Sequence, residues 1–136
     1  MINRPPKILV IKSDISELKK VENFLSDILL EFDLAQKYFN KVYLCVSEAV
    51  VNSIKHGNKN DQNKTVSIGI NCDVKEINVL IEDEGEGFDI SVIENPTLKT
   101  NLKNESGRGI FIIKSMSDKL EYNEKGNRIQ FKIECK

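Results

Sequence analysis

Residues 47–57 read SEAVVNSIKHG, and their polar members are spaced for one face of a helix. Glu48 and Asn52 lie four positions apart, so their side chains would project from the same face of an α-helix. A carboxylate can accept a proton from a hydroxyl nucleophile or from water. An amide oxygen can ligate Mg²⁺, which prefers oxygen ligands. A solvated Glu and Asn one turn apart is the plain alternative, and the segment alone leaves both interpretations open.

The apolar pattern around this segment predicts a helix over about residues 35–56. Gly57 is predicted to follow it at the C′ position, where a positive φ costs glycine little. Upstream, residues 7–12 are typical of a short buried strand and residues 15–31 of an amphipathic helix.

The start of the upstream helix has its own signal. Asp14 is a favourable N-cap residue, and Glu17 stands three positions later, which is a capping-box pattern. We therefore expect the two side chains to satisfy backbone N–H groups at this helix end.

Downstream, partial alternation predicts strands over residues 65–72 and 76–82, joined as a hairpin across Asp73 to Lys75. A helix is predicted over about 109–117. Two further strands are predicted near residues 118–123 and 128–135. Strand pairs joined by short turns imply an α/β (α+β) two-layer sandwich, in which three helices cover one face of a mixed, largely antiparallel sheet.

A second segment with chemical character, DEGEGFD, spans residues 83–89 directly after a strand. Asp83 can accept a hydrogen bond from an exocyclic amine such as that of adenine. Gly85 and Gly87 allow the backbone to approach a flat ligand closely. A tight acidic turn without a ligand is the alternative, because Asp and Gly are ordinary turn residues.

A third segment, SGRGIF, spans residues 106–111. Gly107 and Gly109 at the start of a helix would expose backbone N–H groups where the helix dipole favours phosphate. A Gly-rich loop that only caps a helix is the alternative. The stretch from about residue 83 to 106 has no periodic pattern, and loops of that length are more often functional or mobile than idle.

The composition limits the partners and the compartment. Lys and Arg number 20 against 21 Asp and Glu, a net charge of −1, which gives no electrostatic reason for binding nucleic acid or an anionic membrane. Cys45, Cys72 and Cys135 have no metal-ligand spacing, so we expect reduced thiols. No apolar run reaches the length of a membrane span or a signal peptide. We expect one cytoplasmic domain over residues 1–136.

In their order and spacing, the three segments resemble the N, G1 and G2 boxes of the superfamily that contains gyrase, the histidine kinases and a mismatch-repair ATPase. Within it, the chain most resembles the short anti-sigma-factor serine/threonine kinases, in which the pattern Ser-Glu-Ala-Val-x-Asn-x-x-x-His-Gly is characteristic. Residues 47–57 fit that pattern throughout. The resemblance covers nearly the whole chain and implies a Bergerat-type ATP-binding fold.

The resemblance implies a role for each residue of the three segments. Glu48 would be the general base that activates the attacking hydroxyl, and Asn52 the Mg²⁺ ligand. Asp83 would read adenine, with Gly85 and Gly87 shaping the base pocket. The phosphates of ATP would lie at the turn formed by Gly107 and Gly109, and residues from about 89 to 106 would form the ATP lid. Phosphoryl transfer needs mainly such positioning of phosphate, metal and nucleophile.

Two features depart from the family or distinguish its members. Relatives often have a small or hydrophobic residue at the position of Arg108, which could contact a phosphate or point to solvent. Lys99 and Lys103 in the lid could reach the γ-phosphate, form a docking face or be solvated. The only histidine, His56, ends its helix, and no histidine precedes Glu48, which argues against a sensor histidine kinase.

Three functions follow for comparison. The first is an ATP-dependent kinase that phosphorylates a serine or threonine of an antagonist protein and sequesters a sigma factor according to nucleotide state. The second is a catalytically weak ATP- or ADP-binding module that regulates a partner by binding only. The third is a small α/β domain without a ligand. The resemblance also implies a homodimer, with the first strand and helix as a plausible contact region.

Overall fold

The structure is a computed structural model, and it describes residues 6–85, 105–123 and 125–135. In these ranges the strands are β1 (Lys7–Lys12), β2 (Thr65–Cys72), β3 (Glu76–Asp83), β4 (Lys119–Tyr122) and β5 (Arg128–Glu134). The α-helices are α1 (Leu18–Glu31), α2 (Ala35–Asn52) and α3 (Glu105–Met116). A 3₁₀ turn, Ile15–Glu17, precedes α1, and a π-helical turn, Ser53–Gly57, follows α2.

The five strands form one sheet in the order β1-β2-β3-β5-β4, and each neighbouring pair is antiparallel. Side chains alternate between the two faces of a strand, so every second residue of β2, β3 and β5 points the same way. On one face these residues are apolar and buried, for example in the cross-strand row of Ile68, Ile81 and Ile129. The other face carries mostly polar or partly exposed residues, such as Asn78 and Gln130.

The three described helices pack on the apolar face of the sheet. Their amphipathic stripes supply buried residues to one hydrophobic cluster with the sheet, including Leu25 of α1, Val46 of α2 and Ile113 of α3. Burying an apolar side chain of this size stabilises the fold by about 1.5–3 kcal/mol. The arrangement confirms the predicted two-layer α/β sandwich, with antiparallel pairing in all the described strands.

The start of α1 differs from the predicted capping box. Asp14 accepts a hydrogen bond from the Ser16 N–H at 2.9 Å, two residues on rather than three. The Glu17 carboxylate reaches the N–H of Lys12, at 3.5 Å, instead of that of Asp14. The 3₁₀ turn winds this end more tightly than an α-helix, which changes the N–H group that each side chain can reach.

Gly57 is not the C′ residue that the sequence predicts. It lies inside the π-helical turn, and the positive φ values come later, at Lys59 (53°) and Asn60 (61°). α3 also begins four residues before its predicted start at residue 109, so Gly107 and Gly109 lie within the helix and not in a turn before it. Packing of Ile110 and Ile113 in the core supports this helix despite its glycines.

Candidate functional site

Asp83 occupies the last inward-facing position of β3. Ile77, Val79 and Ile81 precede it on the same face, and it pairs with Val66 across β2. The alternation of the strand therefore places a carboxylate where the pattern otherwise places an apolar side chain. Only 5% of Asp83 is exposed.

Two groups donate hydrogen bonds to the Asp83 carboxylate. The Gly85 N–H donates to Oδ1 at 2.8 Å, and the Ser53 side chain also donates a hydrogen bond. Burial raises the pKa of Asp83, and the two hydrogen bonds from Gly85 and Ser53 offset part of that rise. A buried acceptor of this kind, placed at a strand end, suits a hydrogen bond from an amine of a ligand.

Gly57 lies directly against this carboxylate. A Cβ atom on Gly57 would collide with both carboxylate oxygens of Asp83, and one on Gly85 would collide with the carbonyl of Gly57. These two glycines therefore allow the end of the π-helical turn and the end of β3 to touch. Close approach, and not a positive φ, is what requires glycine at position 57.

Glu48 and Asn52 meet on the side of α2 that faces α3. A Cβ on Gly109 would lie 2.9 Å from Glu48 Oε2 and 3.4 Å from Asn52 Nδ2, so the two side chains lie beside the same glycine. Asn52 is buried, with 4% exposed, and Glu48 is half-buried. The pair is thus within reach of the start of α3, where the third sequence segment lies.

A small cavity connects these two groups of residues. It lies between α2, β3, α3 and the β4–β5 turn, and its walls include Asn52, Ser53, Asp83, Ile110 and Asn127. Asn52, which is predicted to bind Mg²⁺, and Asp83, which is predicted to bind adenine, therefore line the same cavity. A larger depression on the open face of the sheet, which includes Leu80, contains none of the predicted site residues.

Some predicted residues are placed and others lie outside the described part. Arg108 is exposed on α3, and His56 is exposed on the π-helical turn. Gly87, Lys99, Lys103 and residues 89–104 of the predicted lid lie outside the described residues. Residues 105 and 106, which the lid prediction included, belong to α3.

Sequence reasoning missed three residues that contact Asp83 or its neighbour: Ser53, Asn58 and Asn127. Asn127 accepts from the Asp83 N–H at 3.0 Å through its carbonyl and donates from Nδ2 to the Asp83 carbonyl oxygen at 2.9 Å. Ser53 lies within the first segment and Asn58 directly follows it, and this proximity was the available signal. Nothing local to the Gly126-Asn127 turn points to a site, because Gly and Asn are common in any turn.

The donor set fits Mg²⁺ better than a metal held by protein ligands alone. The described residues contain no group of three or more His, Cys, Asp or Glu side chains placed to hold a metal. Mg²⁺ commonly takes one or two protein oxygens and completes its shell with water and substrate phosphates. The Asn52 amide oxygen, which lies beside Gly109 with the Glu48 carboxylate close by, could serve as one such protein oxygen. No described helix is long and apolar enough to span a membrane.

Comparison with known proteins gives matches over most of the chain. The family described as the histidine kinase-like ATPase domain matches residues 11–133. The Serine-protein kinase RsbW of Oceanobacillus iheyensis is 25% identical over 105 residues, covering 73% of this chain and 66% of that protein. The Anti-sigma F factor of Shouchella clausii is 32% identical over 113 residues, covering 78% and 77%. That of Geobacillus kaustophilus is 31% identical over 100 residues, covering 72% and 68%.

Proposed function

The chain belongs to the family of histidine kinase-like ATPase domains, and from that premise we propose that it is an ATP-dependent protein serine/threonine kinase of the anti-sigma-factor type. Membership of this family implies ATP binding. The observation that carries the proposal is that Asn52 lies beside Glu48 at Gly109 and shares a small cavity with Asp83, which brings a candidate metal ligand close to a candidate general base and to a candidate adenine acceptor.

Each of these residues has a distinct task in the proposed reaction. Asp83 accepts a hydrogen bond from the 6-amino group of adenine, and Gly85 shapes the base pocket by allowing the end of β3 to approach Gly57. Asn52 holds Mg²⁺ through its amide oxygen. Bound ATP and Mg²⁺ supply the transferable phosphoryl group and neutralise its charge. Gly107 and Gly109, which lie in the first two turns of α3, are proposed to admit the phosphates there, and the helix dipole favours negative charge at this end of the helix.

Glu48 takes the proton from the serine or threonine hydroxyl of the substrate protein. The hydroxyl oxygen then forms a bond to the γ-phosphorus as the bond to the ADP oxygen breaks. The half-buried position of Glu48 beside Gly109 supports this role, because the carboxylate lies against α3 and keeps access to solvent. We propose Arg108 as a residue that reaches the phosphates, given its exposed place one residue before Gly109.

The proposed partners are a sigma factor, which the protein would sequester, and an antagonist protein, which it would phosphorylate. Relatives named as a serine-protein kinase and as anti-sigma F factors support both. We further propose a cytoplasmic homodimer of single 1–136 domains that binds neither nucleic acid nor membrane, in keeping with the net charge of −1.

The test combines binding with phosphoryl transfer. Calorimetric titration with ATP should give saturable binding that Mg²⁺ strengthens. With ATP labelled on the γ-phosphate and a dephosphorylated cell extract, the wild type should label a protein on serine or threonine, identified by mass spectrometry. Glu48→Gln should slow labelling by about 10²- to 10⁴-fold, because it removes a general base, while ATP binding is kept.

Glu121→Gln is the matched control, since Glu121 is an exposed glutamate on β4 away from the cavity, and it should label at the wild-type rate. Equal labelling by Glu48→Gln and the wild type would remove Glu48 from the mechanism. Absence of ATP binding in the wild type would overturn the whole proposal.

A second candidate function is a catalytically weak module that acts through nucleotide-dependent binding alone. It is favoured by the names of the relatives at 31–32% identity, since "anti-sigma F factor" names no catalytic activity. Nucleotide binding by the wild type without labelling of any protein would support this candidate over the kinase.

A further inference from the structure

The peptide group that joins Asp83 to Glu84 is held at both of its polar atoms by asparagine side chains. The Asn127 Nδ2 donates to the Asp83 carbonyl oxygen at 2.9 Å. On the other side, the Glu84 N–H donates to Asn58 Oδ1 at 2.9 Å. Asn58 and Asn127, which come from different turns, therefore fix the orientation of the peptide group that directly follows Asp83, the proposed adenine acceptor.

Asn58 is built into the fold so that its amide has one orientation. It is 1% exposed, and its Nδ2 donates to Ser13 Oγ at 2.8 Å and to the Thr65 carbonyl at 2.9 Å. With Oδ1 occupied by the Glu84 N–H, a flipped amide would oppose donor to donor. The side chain thus ties together the end of the π-helical turn, the ends of β1 and β3 and the start of β2.

Asn127 binds the carbonyl side of the same peptide group, and its own side chain is also fixed by hydrogen bonds. Its backbone carbonyl accepts from the Asp83 N–H at 3.0 Å, and its Oδ1 accepts from Asn123 Nδ2 at 2.7 Å. The N–H groups of Gly126 and Arg128 both donate to Asn123 Oδ1, at 2.9 and 3.1 Å, so the turn that presents Asn127 is itself braced.

The orientation of this peptide group matters because Asp83 precedes it and Gly85 follows it closely. Asp83 precedes it, with its carboxylate against Gly57. Gly85 follows one residue later, and its N–H donates to Asp83 Oδ1 at 2.8 Å. Loss of the two asparagine hydrogen bonds would free the chain that follows Asp83, including the Gly85 N–H that orients the Asp83 carboxylate.

We propose that Asn58 and Asn127 are positioning residues that together orient the Asp83 carboxylate and so set the preference for adenine over guanine nucleotides. Adenine offers an amino hydrogen at its 6-position, whereas guanine offers an oxygen that a carboxylate repels. A site built to hydrogen-bond one group discriminates strongly against a ligand that lacks it, provided that the acceptor is held in place.

The inference rests on the proposed function, because it takes Asp83 as the base-reading residue. Its test is the dissociation constant for GTP divided by that for ATP, with both constants measured by calorimetry in the presence of Mg²⁺. The two nucleotides share ribose and triphosphate, so a change at the phosphate site or in the folded fraction affects both equally. Only a change in base reading alters the ratio.

We expect Asn58→Ala and Asn127→Ala each to lower this ratio by at least about tenfold, since either change frees one end of the peptide. Asn127→Ala provides the test if Asn58→Ala does not fold, because Asn127 is only half-buried. Ser13→Ala removes hydrogen bonds at the far end of the Asn58 network and should lower stability without changing the ratio. Asn78→Ala, on the open face of β3, is the matched asparagine control.

Amide hydrogen exchange gives a readout that needs no nucleotide. The Glu84 and Gly85 N–H groups should exchange faster in Asn58→Ala than in the wild type, and Ser13→Ala should leave them protected. An unchanged GTP-to-ATP ratio in both asparagine variants, with stability alone reduced, would overturn the inference. If the wild type binds no ATP, the proposed function fails. Unchanged exchange of the Glu84 and Gly85 N–H groups in Asn58→Ala would separately show that Asn58 does not hold this peptide group.

Discussion

At the scale of single residues, the contact between Gly57 and Asp83 leaves no room for a side chain at position 57. A Cβ at position 57 would occupy the place of the Asp83 carboxylate. We expect Gly57→Ala to displace that carboxylate, abolish ATP binding and destabilise the protein by about 1–3 kcal/mol, as overpacking of a filled site does. ATP titration and thermal denaturation would measure the two effects.

Gly69→Ala is the control for this change, because a Cβ there meets nothing closer than 3.8 Å. Alanine is favoured over glycine within a strand by roughly 0.5–1 kcal/mol, so this variant should keep ATP binding and be at least as stable as the wild type. Normal ATP affinity in Gly57→Ala would show that the carboxylate can read the base from another position.

The buried carboxylate of Asp83 should cost stability at neutral pH. Its pKa in the folded protein lies above the ordinary value of 3.8, chiefly because of burial. The folded protein therefore holds this proton more tightly than the unfolded chain, and the contribution of Asp83 to the free energy of unfolding falls as pH rises from 3.8 through the folded pKa.

Asp83→Asn removes this charge and keeps the shape of the side chain. We expect the variant at pH 7 to unfold at the same temperature as the wild type or higher, and to lose ATP binding. Denaturant titrations across acidic to neutral pH should show the two stabilities diverging as pH rises. Asp27→Asn, at an exposed position of α1, should leave ATP binding unchanged. A variant that loses stability at pH 7 would contradict the burial argument.

At the scale of elements, Gly109 of α3 lies directly beside Glu48 of α2, the proposed general base. A Cβ on Gly109 would lie 2.9 Å from Glu48 Oε2, the mobile end of a flexible side chain. The fold can accommodate that contact by moving Glu48. We therefore expect Gly109→Ala to raise stability by up to about 1 kcal/mol through helix propensity, and to lower the rate of phosphoryl transfer more than ATP affinity.

Ser115→Ala tests the propensity effect alone, because Ser115 is exposed on the same helix and only its hydroxyl bond to the Phe111 carbonyl is lost. It should leave phosphoryl transfer unchanged. Thermal denaturation and single-turnover labelling would compare the two variants. Equal transfer rates in Gly109→Ala and Ser115→Ala would mean that Glu48 need not occupy its present place.

Local sequence patterns predict the elements well and the contacts between them poorly. The hydrophobic alternation of β3 places Ile77, Val79 and Ile81 inward, and its continuation places Asp83 there too. The sequence pattern does not predict the start of α3, because Gly107 and Gly109 have low helix propensity. Packing of Ile110 in the core stabilises the helix in spite of them.

The support around Asp83 was beyond local prediction for a different reason. Asn58 and Asn127 contact residues 83 and 84 only because β2, β3 and β5 are neighbours in the sheet. A turn asparagine in sequence has no mark that distinguishes such a contact from an ordinary turn. The functional roles of all the predicted site residues, Glu48, Asn52 and Asp83 among them, remain predictions that the experiments above would test.

At the scale of the whole molecule, the cysteines report on the integrity of the core. Cys45 and Cys72 are buried, and burial raises the pKa of Cys45 to about 11. Thiols react as thiolates. We expect neither cysteine to react with a disulfide reagent in the native protein at pH 8, and all 3 cysteines of the chain to react in denaturant.

Cys135→Ser isolates the two buried thiols, since Cys135 is only partly buried. Their reaction, followed by absorbance, should then coincide with loss of helical circular dichroism during denaturation. Rapid reaction of either thiol in the native protein would show that the layer between helices and sheet opens locally.

The order of strands in the sheet also governs when the site can exist during synthesis. β3 and β2 form a local hairpin, but the partner of β3 on its other side is β5, which is made last of the five strands. Asn127, one residue before β5, contacts Asp83 across 44 positions of the chain. Such non-local pairing forms late because loop closure must precede it. A nascent chain on the ribosome therefore contains α1, α2 and the β2–β3 hairpin well before Asn127 has been added to hold Asp83.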